Sequence, residues 1–151
     1  MFGLKTLKSA FGAGAKEIKA EYGENKDFLE AVLAASALVA AADGDIEDSE
    51  RRKVTAIITG HAQLSKLYQA NVIEQTAEVM FKRAKDSSGR QQLARELDDI
   101  KTRPNGMQMA EDAYLIALDI AMSDGEIEPA EADVLKKIAA RLGVDTSKFE
   151  F

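Results

Sequence analysis

Apolar residues recur at intervals of three and four along most of the chain, the period of helices that bury one face. The densest run holds Leu29, Val32, Leu33, Ala37, Leu38 and Val39. Asp27 and Glu30 stand at its start with capping-box spacing, and Asp43-Gly44 stops it. The same pattern predicts helices over about 48–59, ended by Gly60, and over about 67–85, ended by the turn Asp86-Ser87-Ser88-Gly89. Further helices are expected over about 90–101, stopped by Pro104-Asn105-Gly106, then about 107–122 and 129–142. Pro129 suits the first position of the last one, and Gly143 its C-cap. Ahead of all these, Phe2, Leu4, Leu7 and Phe11 fall near one helical face beside Lys5 and Lys8. No segment alternates apolar and polar residues with β-branched enrichment. The pattern therefore predicts an all-α, single-domain bundle over 23–151, preceded by a basic amphipathic segment over 1–22, with about seven helices when that N-terminal segment is counted.

Two stretches of the chain repeat. Residues 43–50 read DGDIEDSE and residues 124–131 read DGEIEPAE, an offset of 81 (124 minus 43). Asp43, Gly44, Ile46, Glu47 and Glu50 are matched by Asp124, Gly125, Ile127, Glu128 and Glu131, and Asp45 by Glu126. Each loop follows a hydrophobic helix and precedes an amphipathic one, so the chain carries two helix–acidic loop–helix units. The glycines permit a positive φ where the first helix ends. Ile46 and Ile127 are placed to tuck under their loops. Glu50 and Glu131 stand three residues after Glu47 and Glu128, where they can satisfy backbone N–H groups of the first turn.

Capping needs only one or two of these carboxylates. The rest repel one another unless a cation or a basic partner offsets them, and hard divalent cations take several oxygen ligands. A standard EF-hand is excluded: aligned on the glycine, its early ligand positions fall on Val39 and Ala41, or on Ile120 and Met122. Each loop alone is an incomplete site, and two loops side by side could complete one.

Composition narrows the options. The 151 residues suit one domain with a sizeable core. A net charge of −6 argues against a nucleic-acid partner and favours cations or a basic protein. The absence of cysteine excludes disulfides, thiolate metal sites and thiol redox chemistry. The longest apolar run, Ala31 to Ala42, is broken only by Ser36 and falls short of the ~20 residues of a membrane span. There is no Ser/His pair, HExxH or nucleotide-binding motif, so a non-enzymatic protein is expected. His61, the only histidine, follows a helix end and reads as a cap or surface residue. Arg51-Arg52-Lys53 reads as solvated helix surface, and Met80, Met107, Met109 and Met122 as packing residues.

The apolar helix running into AADGDIEDSE at 41–50, its repeat AMSDGEIEPAE at 121–131, and the ending LKKIAARLGVD at 135–145 followed by Phe149 together resemble the TerB family. That family includes tellurite-resistance TerB and the related region of a membrane-anchored DnaJ-type co-chaperone. The likeness runs over nearly the whole chain, and the middle, 60–106, carries no distinguishing motif. It implies a seven-helix fold with pseudo-two-fold halves and a surface where the loops meet and bind divalent metal, calcium among the candidates. Carried over position by position, the ligands it implies are Asp43, Asp45, Glu47, Glu50, Asp124, Glu126, Glu128 and Glu131; Asp48 is left out of the set because Pro129 stands in its place in the second copy. It also implies a cytoplasmic stress-response protein at the inner membrane face, with partners such as the membrane protein TerC and stress proteins of the TerD type. Residues 2–11 are the candidate membrane contact. Without cysteine, thiol-based detoxification of tellurium is excluded.

Overall fold

The structure, a computed structural model, describes residues 26–44, 46–123 and 125–149. The expected amphipathic segment over 1–22 lies outside the described residues. Within them the fold is all-helical, with seven α-helices and no strand. We number them α1 (Lys26–Ala40), α2 (Asp48–Thr59), α3 (Ala62–Leu67), α4 (Ala70–Arg83), α5 (Ser87–Asp99), α6 (Gly106–Ser123) and α7 (Pro129–Leu142). Short 3-10 turns follow at Ile100–Thr102 and Thr146–Phe149.

The apolar run predicted from the sequence is the centre of the molecule. From Phe28 to Ala37, α1 is buried at every residue except Glu30, as an all-round apolar helix requires. It packs against α4, α5, α6 and α7. Phe28, Leu29 and Leu33 meet Ile73, Met80 and Phe81 of α4, Leu93 and Leu97 of α5, and Ile116 of α6 in one core. The second long apolar helix, α6, is buried along Met109–Ala110 and Asp112–Ala117. The chain's end closes over it, with Phe149 stacked on Tyr114 at a ring-centroid distance of 6.3 Å.

The internal repeat is structural. The unit α1–loop–α2 is matched by α6–loop–α7, and the helix that leaves each loop packs on the helix that enters the other: α2 on α6, and α7 on α1. This crossing carries the two loops to the same end of the bundle.

Three expectations need correction. The single helix predicted over about 67–85 is two, α3 and α4. The break is at Tyr68, which is buried in extended conformation (φ −135°, ψ 151°), with Gln69 as the N-cap of α4. No glycine or proline marks this break; seating the Tyr68 ring in the core turns the chain, and tertiary packing overrides local propensity. The predicted turn Asp86-Ser87-Ser88-Gly89 is already the first turn of α5. Asp86 is its N-cap and accepts a hydrogen bond from the Gly89 N–H at 2.7 Å. Asp27, expected at a cap, lies inside α1 and is hydrogen-bonded to the Arg103 guanidinium. Glu30 sits beside Glu96, and its carboxyl is pushed above the ordinary range, first by burial and then by the charges of Glu96 and Asp27.

Candidate metal centre

Each loop is shaped by a glycine that no other residue replaces comfortably. Gly44 has φ +124° and Gly125 has φ +120°, so the two copies turn in the same way. A Cβ at either would meet nothing within 4 Å. The barrier is therefore in the backbone alone. Gly44→Ala and Gly125→Ala are each expected to cost about 1–2 kcal/mol, measurable by urea denaturation; no loss in either variant would mean the turns rebuild without strain. Beyond the glycines, Ile46 and Ile127 are half-buried against the core, as expected, and fix the descent of each loop into the following helix.

The loops open onto a shared cleft of about 490 Å³. Its floor is apolar and small: Val39 and Ala40 of α1, Val54 of α2, and Ala117, Ile120 and Ala121 of α6. Ser36, at the base, returns its hydroxyl to the Val32 carbonyl at 3.0 Å. Five carboxylates line the cleft: Asp43 and Glu50 from the first unit, Glu126, Glu128 and Glu131 from the second. Asp43, Glu50, Glu126 and Glu128 are exposed and Glu131 half-buried, so the acids form a rim above a greasy floor.

Of the eight ligands carried over from the resemblance, these five share one cavity. Glu47 is the exposed N-cap of α2 and is not part of the lining. Asp45 and Asp124 lie outside the described residues. Asp48, outside that set, faces Arg51 at 3.8 Å on the exposed side of α2. Among the described residues no three acidic or histidine side chains stand close enough to hold an ion as placed. The donor set is nevertheless purely carboxylate oxygen, which suits a hard cation and excludes a soft one.

The two units are not equivalent. Glu131 Oε1 accepts from the Glu128 N–H at 2.9 Å, so it serves the cap of α7 as foreseen and keeps its second oxygen for other work. Glu47 makes no side-chain cap bond for α2.

Sequence reasoning missed Lys53. Read as solvated surface, it lines the cleft with Glu50 and Val54. Residues 50, 53 and 54 are spaced i, i+3, i+4, which puts them on one helical face; that spacing is the signal that could have found it. Lys53 thus adds a basic side chain to a lining that is otherwise acidic or apolar apart from Ser36.

His61, expected as a cap or surface residue, is a cap with a partner in the other half of the repeat. It is the N-cap of α3, and its Nε2 lies 2.8 Å from Asp119 Oδ2 on α6. The side chains of the pair are only 7% and 19% exposed.

A family model described as tellurite resistance protein TerB matches residues 29–151. No curated protein and no solved structure matches the chain.

Proposed function

The chain belongs to the tellurite resistance protein TerB family, and on that premise we propose that it is a binding protein, not an enzyme, whose two acidic loops jointly take up a divalent cation such as calcium and thereby set a surface for protein partners. The observation that carries this reading is the shared cleft: carboxylates 81 residues apart in sequence line one cavity. Asp43 and Glu50 would supply oxygens from one side, and Glu126, Glu128 and Glu131 from the other. The cation supplies positive charge that draws the rim together, since the carboxylates ring the mouth without converging. Lys53, on the same helical face as Glu50, would offset part of the repulsion in the ion-free state and give way as the ion enters.

A TerC-like membrane protein and TerD-like stress proteins are the expected partners at the cytoplasmic membrane face. No described helix is long and apolar enough to cross a membrane, so this chain would reach that face through a partner or through residues 2–11.

Calorimetric titration of the full chain with calcium tests the proposal through its stoichiometry. A shared site takes one ion per chain. Two ions per chain would mean that each loop binds alone, and no uptake of calcium, magnesium or manganese at millimolar levels would end the cation reading.

A second reading is favoured by the apolar floor beneath the acidic rim. A basic segment of a partner would lay its aliphatic stems on Val39, Val54 and Ile120 and its cationic heads on the rim. Partner binding that weakens with salt but ignores EDTA would support this reading over the first.

A further inference from the structure

The two walls of the cleft are held very differently. α7 buries Leu135, Ile138, Ala139 and Leu142, whereas α2 fully buries only Ile58. Val54 and Ile57 are half-buried and the remaining face of α2 is polar. A helix with so few apolar anchors belongs to the low-stability part of a fold. Yet α2 supplies Glu50, Lys53 and Val54 to the cleft, so its tilt decides how far the first loop stands from the second.

The repeat shows what replaces the missing anchor. At the offset of 81, His61 corresponds to Leu142 and Asp119 to Leu38. Where α7 ends on a fully buried leucine, α2 ends at Thr59 with Gly60 as its C-cap, and the next residue, His61, the N-cap of α3, is hydrogen-bonded to the opposite unit. The geometry of that bond is defined at both ring nitrogens. His61 Nδ1 accepts from the Gln63 N–H at 3.3 Å, so the proton is on Nε2, which donates to Asp119 Oδ2 at 2.8 Å. Asp119 lies on α6 between Ala117 and Ile120, which both line the cleft floor. An apolar contact tolerates sliding; a directional bond between two well-covered groups selects one arrangement.

We propose that the His61–Asp119 hydrogen bond is a pin that sets the tilt of α2 against α6 and so holds the first acidic loop over the second. His61 and Asp119 are positioning residues: neither lines the cleft, and both act through the placement of Glu50. The link to cation binding rests on the function proposed above, whereas the pin itself does not.

Two substitutions separate the two jobs of the imidazole. His61→Asn keeps an acceptor near Nδ1 for the Gln63 N–H and removes the bond to Asp119. His61→Gln places an amide donor near Nε2 and can keep it. Because the chain has no cysteine, spin labels can be attached at Arg52→Cys on α2 and Lys136→Cys on α7, both exposed positions. The distance between them is read by pulsed electron resonance in EDTA, with helical circular dichroism as the check on folding. The expected result is a longer, broader distance distribution for His61→Asn and a wild-type distribution for His61→Gln. Equal broadening in both, or in neither, overturns the pin.

Calcium titration of the same variants reads the consequence. His61→Asn is expected to weaken affinity by roughly tenfold or more, in the range seen when residues supporting metal ligands are lost, and His61→Gln to restore it. If His61→Asn shifts the distance while a calcium-binding wild type and variant bind equally, the pair does not position the site. If the wild type binds no cation at all, the proposed function fails and the distance measurement still decides the pin.

Discussion

Calcium is expected to raise the melting temperature of the unmodified chain, and Glu50→Gln combined with Glu131→Gln to abolish that rise. A ligand that binds only the folded state stabilises it by about 2.7 kcal/mol at one hundred times its dissociation constant. For a chain of this size that is roughly 5–10 °C. The two glutamates come from opposite walls of the cleft, and both replacements preserve side-chain volume. Gln at position 131 can still accept from the Glu128 N–H, since glutamine serves a capping box as glutamate does. The baseline in EDTA is therefore expected to hold, or to rise slightly as like charges are removed. The single variants carry the sharper information. In a shared site either one removes most of the calcium effect, and the second then has little left to remove, so the two losses add to less than their sum. Strictly additive losses would assign one independent site to each loop. A full calcium response in the double variant would remove the cleft from the account altogether.

Much of this site is legible in the amino-acid sequence, for a specific reason. The loop glycines, the isoleucine two residues on and the glutamates at the next helix start are tied to local backbone geometry, and local geometry repeats visibly in sequence. The core helix α1 is equally plain, because a run such as Ala31 to Val39 has nowhere to go but inside. What cannot be read are features decided by distant packing. The break at Tyr68 has no glycine or proline to announce it; it exists because an aromatic ring is seated in a core built by residues far away in the chain. Lys53 can be placed on the face of Glu50 by spacing, but that this face looks into a cleft depends on where α6 lies. His61 paired with Asp119, 58 residues on, is the same case. A lone histidine after a helix end gives no sign of a partner in the other half of the repeat. The Glu47 assignment illustrates the converse: perfect repeat symmetry with Glu128 does not ensure the same surroundings, since only Glu128 lines the cleft.

Gly89→Ala is expected to destabilise the protein by about 3 kcal/mol, against the usual sign of such a change. Within a helix, glycine to alanine ordinarily gains up to about 1 kcal/mol. Here an added Cβ would stand 1.8 Å from the Arg83 carbonyl oxygen and 2.6 Å from its carbon. Both are backbone atoms, so no side chain can swing aside. The end of α4 and the first turn of α5 pack main chain to main chain, and relief requires the turn between them to open. Opening strains the Asp86 cap on the Gly89 N–H and the bond from Arg90 Nε to the Ala84 carbonyl at 2.8 Å. It also loosens Phe81, Met80 and Leu93 from α1, and forced repacking of this kind costs about 1–3 kcal/mol and sometimes more. Urea denaturation of Gly89→Ala beside Ser88→Ala, an exposed neighbour in the same turn, isolates the effect. Ser88→Ala should stay within about 0.5 kcal/mol of the parent; a comparable loss in both would show that the turn is merely sensitive and not closely packed. The consequence reaches the candidate site, because Ala84 and Lys85 in this turn share a small cavity with Gly44 and Ile46 of the first acidic loop. Moving the turn moves what that loop rests on. Gly89→Ala should therefore weaken calcium uptake beyond the loss of folded protein, even though position 89 is not part of the cleft.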